Sequence, residues 1–148
     1  MTQAGAILSY LADVHRDAKL GADDAPDSRF ALAKTMSFLT GDLHPALWSF
    51  CSPQRYTTEH APEALAKAKD ASHARGDRVM THLDGLIGDG EHVFARRRSV
   101  ADPYAFVMAR WTKMFPRTWQ AYPNVARFMR AMERDHAVAI VLTASAVR

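Results

Sequence analysis

Apolar residues recur at three- and four-residue steps along nearly the whole of this chain, and nowhere do Val, Ile and Tyr alternate as they do in strands. That period commits the backbone to helix, and it commits the helices to burying their apolar stripes against one another. The expected fold is therefore all-α, a bundle of about six helices. Its organising stretch is Arg98–Trp111: Ser99 is followed three residues later by Asp102, just ahead of an apolar run. This is the pattern of a helix start at Ser99, in which the Ser hydroxyl accepts the amide three residues on and the carboxylate reaches back to the Ser99 amide. Ala101, Tyr104, Val107, Met108, Trp111, Met114 and Phe115 then leave few charges on any face, so this helix belongs in the middle of the bundle.

The remaining helices fall around it. Ala6, Ile7, Tyr10, Leu11 and Val14 predict a short amphipathic helix over residues 3–15. Gly21 to Asp27 is a turn-rich linker, and a long helix follows to about Phe50, with Pro45 expected to kink it because proline has no N–H for the preceding turn. Pro62 opens a helix that runs to Ile87, more exposed in its Ala- and Lys-rich first half, with Gly76 tolerated inside it. Gly88-Asp89-Gly90-Glu91 stops it. Pro116 ends the central helix, Tyr122-Pro123 starts the next, Glu133 to His136 breaks that one, and a last helix covers Ala137 to about Ala144.

At 148 residues, 48% hydrophobic and 24% charged, one sizeable core is affordable. The apolar run from Ala137 to Leu142 is far short of a membrane span, and no basic-then-apolar export signal opens the chain, so the cytoplasm is the expected compartment. A single cysteine forbids an internal disulfide. Net charge is only +3, and Arg96-Arg97-Arg98 lacks interleaved aromatics, so it reads as a solvated loop and no nucleic-acid partner is expected. The histidines show no paired ligand spacing and no Gly-rich phosphate loop is present, so no metal site and no cofactor are expected. Cys51 stands seven residues after His44, two helical turns or roughly 10 Å of rise, too far for a Cys/His pair; it is expected to be a small buried residue.

Ser99-Val-Ala-Asp-Pro-Tyr-Ala-Phe-Val107, followed by Arg110-Trp111, resembles the sixth helix of the glutathione transferases, and the beta class of bacteria matches it best. Tyr122-Pro-Asn-Val125 with Phe128-Met-Arg-Ala-Met132 resembles the next helix of that family. Gly41-Asp-Leu-His-Pro-Ala-Leu47 resembles its Glu-Leu-His segment, and Met1 to Asp13 its Leu-Thr-Glu-Ser-x-Ala-Ile-x-x-Tyr-Leu-Ala-Asp. The resemblance implies a remnant helix of a thioredoxin-like domain over residues 1–20 and a glutathione transferase C-terminal-like domain over 21–148. Most of the thioredoxin-like half, which in the family supplies the thiol-activating residue, lies ahead of where Met1 stands, so the resemblance reads as a truncated member. His44 falls on the family's active-site histidine, Gln3 and Ala4 on the Glu-Ser pair that holds glutathione, and Tyr104, Met108 and Trp111 on the wall of its hydrophobic pocket. Glutathione is thus implied as a substrate, and an apolar small molecule as a ligand. Pro45, Gln3 and Ala4 all depart from the family's residues.

Three readings stand open on the sequence: a non-catalytic binding or self-association module, a glutathione transferase completed once its other half is supplied, and a partial gene product. The first helix, which in the family lies against a sheet, has part of its apolar stripe without an intrachain partner, so a homo-oligomer, a dimer in the first instance, is expected.

Overall fold

The computed structural model describes residues 3–146. Seven α-helices follow one another: α1 (Ala4–Val14), α2 (Pro26–Phe38), α3 (His44–Cys51), α4 (Pro62–Ile87), α5 (Ala101–Trp111), α6 (Pro123–Arg134) and α7 (His136–Ala146), with short 3-10 turns between several of them. Among the described residues there is no strand. Because α2 and α3 are joined without a break, the described residues form six helical segments, as the periodicity predicts.

The join is a π-helical turn, Leu39–Leu43, and it lies immediately before His44. Pro45 cannot donate to the carbonyl four residues back, and the backbone accommodates that missing bond by widening the preceding turn. The expected kink is therefore a π-turn placed just upstream of the proline. Leu39, Leu43 and Leu47, all fully buried, carry the core across it.

Helix α5 is central. Ala101, Tyr104, Ala105, Phe106, Met108 and Ala109 are all buried, and they meet Leu43, Leu47, Val125, Phe128 and Met129 in one core. Its start differs from the expectation in two respects. The helix begins at Ala101, and the Ser99 hydroxyl accepts the amide of Ala101 at 3.3 Å, not that of Asp102, whose N–H goes to the Ser99 carbonyl. The other half of the motif is as expected: the Asp102 carboxylate accepts the Ser99 N–H at 2.7 Å. It also accepts the Val93 N–H at 2.8 Å, so one fully buried side chain ties the loop before the helix to the helix itself. The helix ends at Trp111 and passes through a 3-10 turn, Thr112–Met114, before Phe115.

Two further readings are corrected. Cys51 is exposed, as the last residue of α3, although Ser49 two residues before it is fully buried. Gly76 is required by packing: a Cβ there would stand 2.6 Å from the Phe115 ring, so the helix passes that ring only because position 76 has no side chain. At the far end, Asp135 accepts the N–H groups of Ala137 and Val138 and so caps α7, one residue earlier than the sequence break suggests.

Candidate functional site

The π-turn carries its consequence at once. His44, the first residue of α3, lies beside α5, and its Nδ1 is 2.7 Å from the hydroxyl of Tyr104, sixty residues away in sequence. Trp111, seven residues or two turns further along α5, meets the imidazole edge-on at a centroid distance of 5.2 Å. Trp48, one turn along α3, lies 5.6 Å from Trp111 and 6.3 Å from His44. Helical spacing accounts for each pairing, since positions i and i+4 on α3 and i and i+7 on α5 share a face.

The hydrogen-bond inventory assigns a tautomer to His44. Tyr104 is only 8% exposed, and its hydroxyl has no other acceptor among the described residues. A buried O–H left undonated is costly, so the phenol donates and Nδ1 accepts. The ring proton then resides on Nε2, which has no partner among the described residues and is not among the buried polar atoms. Burial lowers the pKa of His44 from its ordinary 6.5, which keeps the ring neutral at pH 7. Burial raises that of Tyr104, which keeps the hydroxyl protonated. The result is one N–H donor, held in place by a phenol and bordered by two indoles.

Of the residues singled out from the sequence, His44, Tyr104 and Trp111 come together here. Met108 lies in the core, 5% exposed. Gln3 and Ala4 stand exposed at the amino end of α1, Gln3 with a left-handed backbone (φ 66°), and neither bonds to the His44 cluster among the described residues. Ser99 and Asp102 hold the start of α5. Asp102 Oδ2 also faces His92 Nδ1 at 3.3 Å, and burial pushes its pKa up against the pull of the Val93 and Ser99 amides and His92. Sequence reasoning missed Trp48; its position four residues after His44 on one helix face was the available signal. Among the described residues no group of His, Cys, Asp and Glu side chains is arranged to hold a metal ion.

The described residues thus form an all-α core around a capped central helix, with a histidine donor and aromatic neighbours beside it. No protein-family model matches the chain. It is 22% identical over all 148 residues to glutathione S-transferase GstA of Escherichia coli O157:H7, covering 69% of that protein. It is 27% identical over 111 residues to glutathione S-transferase GST-4.5 of Xanthomonas campestris pv. campestris, covering 53% of it. Among solved structures, the bacterial beta-class glutathione S-transferase of Sphingomonas chungbukensis superposes with a TM-score of 0.79 at 30% identity, over 97% of this chain and 67% of that one. The chain belongs to the glutathione S-transferase family. It spans about two thirds of one curated relative and about half of the other.

Proposed function

We propose that this 148-residue chain is a glutathione transferase-type helical module that binds apolar ligands carrying a hydrogen-bond acceptor, and that it does not by itself activate a thiol. The observation that carries the reading is the Tyr104–His44 hydrogen bond beside Trp48 and Trp111. A neutral imidazole whose Nδ1 lone pair is occupied by a phenol is a poor base. Its free Nε2–H is a good donor to a thiolate, carboxylate or nitro oxygen, and the indoles supply the apolar contact. Glutathione, the substrate in the names of the relatives, offers such an acceptor in its thiol sulfur. In this reading the segment 1–20 carries α1, the helix that faces a partner, and the segment 21–148 carries the ligand-binding unit, working in the cytoplasm.

Self-association belongs to the same reading. Tyr10, Leu11 and Val14 on α1 are 52%, 44% and 54% exposed and lie on one face with Ile7. Burying such a stripe contributes about 1.5–3 kcal/mol for each large side chain, and a second copy of the chain is the partner proposed for it. The same stripe favours a second reading, a glutathione transferase whose site is completed when a thioredoxin-like domain covers α1.

Calorimetry with glutathione on the purified chain tests the proposal, with His44→Ala as the control and indole fluorescence as a second readout. Binding at micromolar to low-millimolar levels that His44→Ala loses is the expected result. Absence of heat at saturating glutathione removes the tripeptide from the ligand list. Turnover of an electrophile by the chain alone overturns the non-catalytic reading.

A further inference from the structure

A second recess lies well apart in the fold. An open cavity of about 830 Å³ is bounded by α1, the linker of residues 18–24, α2 and the arginine loop before α5, and it shares no lining residue with the His44 cluster. We propose that it binds a singly charged anionic amphiphile, a carboxylate on a medium-length alkyl chain. The volume falls within the roughly 300–1,000 Å³ of small-molecule sites. Its floor is apolar, formed by Ala12, Leu32 and Met36, each less than 10% exposed.

The linker wall is fixed by hydrogen bonds that need no ligand. Arg97 donates to the carbonyl of Lys19 at 2.7 Å and to that of Gly21, Val100 N–H donates to the Leu20 carbonyl at 2.9 Å, and Arg29 donates to the Asp24 carbonyl at 2.7 Å. A wall already ordered lowers the entropic cost of binding. Lys19 is held with a left-handed backbone (φ 52°), a conformation uncommon outside glycine, so the tertiary contacts over-determine the rim at the point where this cation stands.

The charge at the cavity explains why the ligand is an anion and why it carries one charge. Arg16 is paired with Asp24, and Arg98 with Asp135. Arg29 and Arg97 hydrogen-bond to carbonyls and to no carboxylate among the described residues, which leaves their charges uncompensated, and Lys19 has no carboxylate partner among them either. Against these three cations stand two lining carboxylates, Asp13 and Asp23, neither in an ion pair among the described residues. The excess is a single positive charge above an apolar floor, which matches a headgroup and a tail.

The test is calorimetry of the intact chain with sodium decanoate and with 1-decanol. Decanoate is expected to bind at micromolar levels and decanol at least tenfold more weakly. The variant Lys19→Gln should weaken decanoate about tenfold and leave decanol unchanged, which isolates the charge; Arg29 and Arg97 are left in place because they hold the wall. Ala33→Phe, at an exposed position on the lining, should obstruct the cavity and weaken binding at least tenfold while the far-ultraviolet dichroism stays native. Equal affinity for decanol and decanoate, full binding in Ala33→Phe, loss of binding in His44→Ala, or no heat with decanoate each overturns the proposal. His44→Ala is expected to bind decanoate normally, so the outcome is independent of the function proposed for the His44 site.

Discussion

Asp102 and His44 are both polar side chains held against the central helix, and they differ in what their free atoms do. Asp102 is fully buried, and its two oxygens are committed to the amides of Val93 and Ser99, with His92 alongside. His44 is half-buried, with one ring nitrogen committed to Tyr104 and the other left without a protein partner. A polar group whose two oxygens are both bonded to the backbone specifies structure; one with a positioned, unused donor is available to a ligand. The contrast separates the residue that builds the bundle from the residue that a bound molecule would meet.

The largest expected effect comes from breaking the closed member. Asp102→Ala leaves two buried N–H groups unpartnered and removes the cap of α5, so a loss of about 2–4 kcal/mol is expected in the urea midpoint, with loss of near-ultraviolet dichroism around α5. Tyr104→Phe should cost less, about 1 kcal/mol, because the site is partly open and water can replace the phenol. Its diagnostic consequence is spectroscopic. Nitrogen chemical shifts of His44 should report the Nε2–H tautomer in the parent chain and a mixture in the variant; a parent ring protonated at Nδ1 removes the basis for the assigned donor.

The smallest effect sharpens the comparison through pH, because the two groups act with opposite signs. Burial raises the pKa of Asp102 from 3.8, so the unfolded chain releases that proton first as pH climbs. Its share of stability is present below 3.8 and is lost as pH rises through the raised folded value. Burial lowers the pKa of His44 from 6.5, so the unfolded chain takes up that proton first as pH falls. Its share is complete above 6.5 and is lost on the way down through the folded value. Urea midpoints across the acid range should therefore fall less on acidification below pH 6.5 in His44→Gln than in the parent. In Asp102→Asn the decline with rising pH just above 3.8 should disappear, and identical profiles for all three chains would sink the distinction.

The helical class, the order of segments and the Ser99–Asp102 capping carboxylate were legible in the sequence because each is a local matter, decided by side chains three or four residues apart on one helix. The same locality placed Pro45 at a kink. Tertiary structure alone decided the partners separated by long loops. Val93 reaches Asp102 from nine residues upstream, Tyr104 meets His44 across sixty, and Phe115 closes on Gly76 across thirty-nine. Helical periodicity tells which face of a helix is apolar, and it carries no information about which other face lies against it or at what angle. For the same reason Cys51 could not be placed from its chemistry: a small thiol suits a core, and only the packing of α3, which buries Ser49 and leaves the helix's last residue outside, exposes it. The sequence determined the elements and the polar groups they carry, and the packing of α3 on α5 decided which group closed on the fold and which was left open to a ligand.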